Sequence, residues 1–99
     1  MPKIADIAMK VRSKNAGPFW LTVDIFCDSS ETFAKVSEGL DTARVAAAFG
    51  ANTQDMKRFD IADLNVVKIS LPRPVIQGSR EDRDMHGAGF GNLIAEMEI

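Results

Sequence analysis

The stretch FWLTVDIFC, residues 19–27, is the clearest β-strand pattern in the chain. Apolar residues occupy every second position: Phe19, Leu21, Val23, Ile25 and Cys27. The intervening positions hold Trp20, Thr22, Asp24 and Phe26. Successive side chains of a strand point to opposite faces of a sheet, so this alternation predicts a strand with one face in the core. The flanking segments must supply the layer that buries this face.

Three flanking segments have helical patterns. Apolar residues at helical spacing between Ile4 and Val11 predict an amphipathic helix that ends near Asn15 and Gly17, before Pro18. Segments 28–40 and 41–50 predict two short helices, and the second should stop at Gly50. Their candidate N-terminal caps are Asp28, Ser29 or Ser30 for the first and Asp41 or Thr42 for the second.

Alternation returns in residues 56–61, 67–71 and 93–99, which predict three further strands. Strand 19–27, the helical crossover and strand 56–61 should form a right-handed parallel unit. Strand 67–71 then lies between these two strands and antiparallel to both. The predicted fold class is α+β: a ferredoxin-like split βαβ sandwich with a four-stranded, mainly antiparallel sheet and about three helices. One domain is expected to span residues 1–99.

Composition excludes several classes of protein. The net charge is −2, so no overall positive charge favours binding to nucleic acid. A single cysteine, Cys27, excludes an internal disulfide and a multi-cysteine zinc site, and the simplest role for it is a small buried apolar residue. The N-terminus does not resemble a signal segment, and no apolar run is long enough to span a bilayer. We therefore expect a cytoplasmic protein that binds neither membrane nor nucleic acid.

Two polar runs are candidates for an anion-binding site. The run RSKN, residues 12–15, precedes strand 19–27, and a loop of about twenty residues follows strand 67–71. If these two strands are antiparallel neighbours, both runs meet at one end of the sheet. The candidate anion-binding residues are Arg12, Ser13, Lys14, Asn15, Arg73, Gln77 and Ser79. The cations could clamp a carboxylate or phosphate while the others donate neutral hydrogen bonds, but each could instead be a solvated or capping residue.

The same loop holds the chain's single histidine. In the sequence DRDMH, residues 82–86, Asp84 could orient the imidazole of His86 for general acid or base catalysis. The alternatives are a divalent-metal site that includes Asp82 and an ordinary hydrogen-bonded loop histidine. We predict His86 and Asp84 as the candidate catalytic residues, with no metal site, and the sequence identifies no cofactor.

Two aromatic residues fall on the polar face of strand 19–27. Trp20 and Phe26 therefore form a candidate protein interface, unless the first helix or the long loop covers them. Aromatic residues on a sheet can also bind single-stranded RNA, but the acidic balance of the chain argues against that function.

Three segments together resemble a known family. RSKNAGPFWLTVDIFC, VVKISLPRPVIQGS and DRDMHGAG are similar to a small bacterial family of about a hundred residues, the AtuA-like ferredoxin-fold domains. The matching polar-motif positions are Ser13, Lys14, Asn15, Gly17, Pro18, Arg73, Pro74, Gly78, Ser79, Asp84 and Gly87. Gly89 and Phe90 depart from the family, because many relatives are expected to have glutamines there.

This resemblance implies a partner. Such domains accompany larger chains related to the acyclic-terpene-utilisation protein AtuA, in the catabolism of carboxylic acids or their coenzyme A thioesters. The implied function is the small subunit of a hetero-oligomeric lyase, a hydratase or dehydratase, that is not catalytic alone. Two alternatives remain: a homo-oligomeric enzyme with sites between subunits, and a ligand-binding or regulatory module without catalytic activity.

Overall fold

The structure, a computed structural model, describes residues 2–16, 19–72 and 91–99. Four helices lie within these ranges: α1 (Ile4–Ile7), α2 (Ser30–Gly39), α3 (Thr42–Phe49) and α4 (Gly91–Ala95). The strands of the described ranges are β1 (Lys10–Asn15), β2 (Trp20–Phe26), β3 (Lys57–Ile61) and β4 (Val66–Pro72). Short 3₁₀ turns at Thr53–Asp55 and Ala62–Leu64 flank β3.

The four strands form one sheet in the order β1-β2-β4-β3, and every neighbouring pair is antiparallel. Val23 of β2 lies opposite Ser13 of β1 on one side and Ile69 of β4 on the other. Because β2 and β3 are both antiparallel to β4, they run parallel to each other on either side of it. This arrangement confirms the predicted α+β class and is compatible with a ferredoxin-like sandwich.

One face of the sheet packs against the helices. Leu21, Val23 and Ile25 of β2 are fully buried there, beside the equally buried Val67, Ile69 and Leu71 of β4. The helices contribute Ile4, Val36, Val45, Phe49 and Ile94 to the same core. The alternation in residues 21–27 is therefore confirmed. Phe19, however, precedes β2 and is 58% exposed, so its placement in the core was wrong.

The predicted first helix is only partly helical. Helix α1 covers a single turn, and the chain is extended again at Ala8. Residues predicted as the end of the helix form β1, which pairs with β2 along its whole length. The helical spacing between Ile4 and Val11 was misleading, because Ile4 packs in the core as part of α1 whereas Val11 packs against the core from β1. Pairing with β2 satisfies the backbone hydrogen bonds that the last helical turns would have made.

The predicted last strand is also wrong in part. Residues 91–95 form α4, and only Glu98 makes an isolated bridge, to Lys3. Ile94 is fully buried against the helix-covered face, whereas Leu93 is 45% exposed, which is a helical rather than an alternating burial pattern. Strand β1 already occupies the edge of the sheet beside β2, so the C-terminal segment cannot pair there.

The two central helices begin and end where the sequence indicates. The Ser29 side chain accepts a hydrogen bond from the Thr32 amide at the start of α2, and Asp41 accepts one from the Ala43 amide at the start of α3. Gly50 ends α3 in the left-handed conformation, with φ of 67°. Of the helices in the described ranges, none has the length and apolar character to cross a membrane.

Candidate functional site

The face of the sheet opposite the helices is here named the open sheet face. Cross-strand partners share a face of a sheet, so the register defines its members. From β1 and β2 come Lys10, Arg12, Lys14, Trp20, Thr22, Asp24 and Phe26. From β3 and β4 come Lys57, Phe59, Ile61, Val66, Lys68, Ser70 and Pro72. The core-facing partners alternate with these residues along each strand.

The open sheet face is basic although the chain is acidic. Its basic residues are Lys10, Arg12, Lys14, Lys57 and Lys68, and its acidic residue is Asp24. The other residues that the structure describes include four basic and ten acidic residues. The fold therefore concentrates positive charge on one surface, which net charge alone does not reveal.

The predicted RSKN quartet is divided between the two faces of the sheet. Arg12 and Lys14 are exposed on the open sheet face, opposite Asp24 and Thr22. Ser13 lies on the helix-covered face and is buried, and Asn15 shares that parity. Arg12 and Lys14 thus remain together as candidate anion ligands. The strand geometry separates the neutral donors from them.

Ser13 instead joins β1 to the beginning of α4. Its Oγ accepts a buried hydrogen bond of 2.8 Å from the Gly91 amide, across 78 residues of sequence. A Cβ added at Gly91 would lie 3.2 Å from that same oxygen, so the two segments are in close contact. Ser13 therefore holds the beginning of α4 against β1.

Arg12 and Lys14 border a cavity of about 180 Å³ that is also lined by Ser13, Asp24 and Phe26. Asp24 lies in the middle of a cross-strand row, with Arg12 on β1 on one side and Lys68 on β4 on the other. Within the described ranges it forms no ion pair with either cation, and its buried Oδ1 atom has no hydrogen-bond partner. The cavity thus combines two cations, a carboxylate acceptor and an aromatic wall.

The aromatic residues of the open sheet face are accessible to a partner. Trp20 is 40% and Phe59 is 52% exposed, and Phe26 is half-buried beside the cavity. The described helices pack on the opposite face and do not cover them. The predicted interface pair Trp20 and Phe26 therefore shares a surface with Phe59, and its role in an interface stays a prediction.

The remaining predicted site residues lie outside the described residues: Arg73, Gln77, Ser79, Asp84 and His86. The structure does place the two flanks of that segment. Pro72 pairs with Trp20 at the end of the sheet, and Gly91 bonds to Ser13. Pro72 thus lies beside the start of β2, as the predicted antiparallel pairing of strands 19–27 and 67–71 requires, and Gly91 lies beside β1. Whether these five residues complete the cavity stays a prediction.

Sequence reasoning missed five polar or aromatic residues of the open sheet face that belong to the candidate site or its surroundings: Lys10, Asp24, Lys57, Phe59 and Lys68. All but Lys10 lie at alternating positions in correctly predicted strands, so their parity could have identified them. Lys10 could not be found in this way, because the segment around it was predicted to be a helix.

Other features of the described ranges are weaker candidates for a functional site. A second cavity of about 340 Å³ lies among Pro2, Ile7, Lys35, Glu38, Gly39 and Ile99. Cys27 is buried, and that burial, together with the nearby Asp28 carboxylate, raises the pKa of its thiol. A raised pKa disfavours the thiolate that a nucleophile requires. Groups of three or more His, Cys, Asp or Glu suited to a metal ion are absent from the described residues.

Comparison with known proteins relates the chain to one family. A family model with the description Domain of unknown function (DUF4387) matches residues 4–98. The match covers nearly the whole sequence, including every strand and helix described above. Neither the curated proteins nor the solved structures contain a significant match to this chain.

Proposed function

Because the chain belongs to the family described as a domain of unknown function (DUF4387), we propose a function on the basis of its own surface. In this proposal the chain is the small accessory subunit of a two-component catabolic enzyme whose large chain is AtuA-like. The enzyme is a lyase that hydrates or dehydrates a carboxylic acid or its coenzyme A thioester. One observation carries the proposal: a cationic cavity opens on the same sheet face as exposed aromatic residues.

The aromatic residues support the existence of a partner. Exposed Trp and Phe side chains on a sheet face are typical anchors of protein interfaces, where aromatic residues are enriched and contribute much of the binding free energy. Trp20 lies on β2 and Phe59 on β3, with β4 between these two strands, so a partner that contacts both side chains would also cover part of β4. The large subunit would bury this surface.

The cations support an anionic substrate. Arg12 offers planar paired donors that match a carboxylate or phosphate, and Lys14 adds a point charge two positions along the same strand. Cations beside an interface can bind an anionic substrate that is held between two chains. In this proposal Arg12 and Lys14 bind the carboxylate of the acid, or a phosphate of coenzyme A, at the edge of a catalytic centre in the large chain.

The cavity does not contain a complete catalytic apparatus among its described residues. Among the residues that the structure describes, Asp24 is the carboxylate that lines it. His86 and Asp84 are proposed to supply further acid–base groups from the segment that follows Pro72, beside the catalytic groups of the large chain. Because the catalytic groups would come from both chains, we propose an accessory subunit and not an independent enzyme.

The decisive experiment is purification of the protein from its own cells through a tag on this chain, followed by native mass measurement. We expect a stoichiometric complex with a chain several times larger. The double variant Trp20→Ser/Phe59→Ser should lose the large chain while the domain stays folded, because both side chains are exposed. Leu64→Ser is the matched control, since Leu64 is exposed and apolar but lies in a turn outside the open sheet face.

Two results would contradict the proposal. A homo-oligomer with lyase activity would favour an enzyme whose sites lie between identical subunits, and loss of that activity in Arg12→Gln would support it. A monomer that binds anions without any large chain would favour a ligand-binding module. In either case the accessory-subunit proposal is wrong.

A further inference from the structure

We propose that the large subunit holds this chain by one end of its sheet, where Phe19 and Trp20 enter an apolar recess with carboxylates on one side. The inference rests on the proposed function and adds the position and the chemistry of the contact. Its basis is a pair of exposed rings on consecutive residues, beside two neighbouring lysines of the open sheet face.

Phe19 and Trp20 lie at the end of the sheet where β2 begins. The Trp20 carbonyl accepts a hydrogen bond of 2.9 Å from the Ala16 amide, and Pro72 of β4 lies opposite Trp20 on the other side. Both aromatic side chains are exposed, Phe19 to 58% and Trp20 to 40%. Single exposed apolar residues are normal on a protein surface, whereas contiguous ones indicate an interaction site. Because the backbone at Trp20 is already held on both sides, binding a partner there requires little further ordering.

Two other exposed apolar side chains mark the opposite end of the sheet. Met9 is 65% and Leu64 is 68% exposed. The Met9 amide donates to the carbonyl of Phe26, the last residue of β2, and Leu64 lies in the turn that precedes β4. Trp is enriched among the residues that dominate the free energy of binding, whereas Leu is under-represented. The end of the sheet with Trp20 is therefore the better candidate for an anchor.

The charges beside the two rings indicate the chemistry of the partner. Lys57 of β3 lies opposite Ser70 of β4, and Lys68 is two positions from Ser70 along the same face of β4. The two lysines are thus diagonal neighbours on the open sheet face. The ion pairs within the described part of the chain are Lys3–Glu96 and Arg58–Asp60, so neither lysine is neutralised there. Neighbouring like charges repel, and carboxylates of a partner would remove this repulsion.

The strand order gives this contact an orientation. Strand β2 lies between β4, which carries Lys68, and β1, which carries Arg12 and Lys14. A large chain that takes the rings and places its carboxylates over Lys57 and Lys68 leaves Arg12 and Lys14 for the anionic substrate. The rings supply most of the binding free energy, and the charges determine which side of β2 the partner covers.

Hydroxyl-radical footprinting with mass spectrometry tests the contact directly. Side-chain oxidation is compared between the free chain and the complex that is purified through the tag. We expect oxidation of Phe19 and Trp20 to fall several-fold in the complex, while Met9 and Leu64 keep their rates because they lie at the opposite end of the sheet. Trp20 is the single tryptophan of the chain, so its oxidation is assigned without ambiguity.

Competition measures the contribution of Phe19 to affinity. Untagged chain is added to the purified complex, and its displacement of the tagged chain from the large subunit is followed. Phe19→Ser should require at least about tenfold more chain than the unmodified protein for the same displacement, as for a ring that anchors an interface. Leu64→Ser is the control and should displace as well as the unmodified chain. Because Phe19 lies outside the open sheet face, its effect distinguishes an anchor at the sheet end from a partner that contacts the face alone.

Several results would overturn the anchor. Equal oxidation of Phe19 and Trp20 in the free chain and the complex, or full competition by Phe19→Ser, would do so and leave the accessory-subunit proposal intact, since a large chain would still be present. Protection of the two rings in the free chain as its concentration rises would assign them to contact with a second copy. Protection by phosphatidylglycerol vesicles in place of the large chain would assign them to a membrane surface. Purification without any large chain would overturn both proposals.

Discussion

At the scale of single residues, Arg58 joins β3 to the two central helices. Its guanidinium donates to the Ser37 carbonyl at 2.7 Å, to the Leu40 carbonyl and to the Thr42 hydroxyl. It also pairs with Asp60 at 2.9 Å, with only 17% of the Arg58 side chain exposed. These bonds satisfy carbonyl groups at the end of α2 that have no partner within the helix.

We expect Arg58→Met to lower the free energy of unfolding by about 2–3 kcal/mol, because it leaves part-buried carbonyls unsatisfied and removes the cation that pairs with Asp60. Urea denaturation measures the change. The control is Lys57→Met, which removes a neighbouring cation on the open sheet face and should change stability by less than about 0.5 kcal/mol. Similar losses in both variants would contradict the role given to Arg58.

Asp60 makes the free energy of unfolding depend on pH in the acidic range. Burial alone would raise the pKa of this carboxyl group, but hydrogen bonds from Arg58 and Ser37 and the charge of Arg58 outweigh burial and lower it. A pKa that is lower in the folded state contributes stability above the unfolded pKa of about 4, and this contribution is lost as pH falls through the folded pKa.

We therefore expect the free energy of unfolding to fall between about pH 5 and about pH 2, with a smaller fall in Asp60→Asn. Urea denaturation at each pH value measures both slopes. Asp63→Asn is the control, because Asp63 is exposed in a turn. Equal slopes for the protein and Asp60→Asn would show that Asp60 is not responsible.

At the scale of elements, β1 and α4 depend on one hydrogen bond. Because Ser13 Oγ is the acceptor for the Gly91 amide, Ser13→Ala leaves a buried donor without a partner. We expect a loss of about 1–3 kcal/mol in stability and faster hydrogen exchange of the Gly91 amide. Ser70→Ala is the matched control, since Ser70 lies on the open sheet face of β4. Slow exchange at Gly91 in Ser13→Ala would refute this role.

At the scale of the whole molecule, charge is distributed asymmetrically between the open sheet face and the rest of the surface. A basic face with aromatic residues fits a partner surface that is acidic around an apolar centre, and such complementarity mainly increases the rate of association. The proposed complex should therefore form more slowly as salt concentration rises.

We expect Lys57→Gln/Lys68→Gln to lower the association rate constant with the large chain several-fold at low salt and to reduce its salt dependence. Stopped-flow or surface binding kinetics measure both quantities. Lys35→Gln, on the exposed side of α2, is the control and should leave the rate unchanged. An unchanged rate in the double variant would mean that the partner binds another surface.

Sequence patterns predicted correctly those features that depend on residues within a single helix or strand. The alternation of residues 21–27 and 67–71 predicted the central strands and their buried face, and the caps at Ser29, Asp41 and Gly50 were recognisable because capping uses neighbouring residues. The neighbouring position of strands β2 and β4 followed from the split βαβ topology, in which the third strand lies between the two parallel strands. Arg12 and Lys14 were predicted as a pair of cations, and the structure leaves them on one face.

Long-range pairing decided the rest. Residues 10–15 have a helical apolar spacing with Ile4, yet they extend as β1 because β2 offers backbone partners and a place for Val11 against the core. Residues 93–99 were predicted as a strand from their alternation, yet residues 91–95 form a helix, and β1 already occupies the edge of the sheet beside β2. No neighbouring residue in sequence carries this information. The same pairing placed Asp24 between Arg12 and Lys68.

The amino-acid sequence by itself determined the α+β class, the two central strands, the capped helices and the presence of paired cations before a hydrophobic strand. The tertiary structure alone decided that β1 completes the sheet, that five basic residues share one face of an acidic chain, and that Ser13 turns away from Arg12 and Lys14. The physical reason is that caps and alternation depend on adjacent residues, whereas the face that a side chain occupies depends on the register of strands distant in sequence.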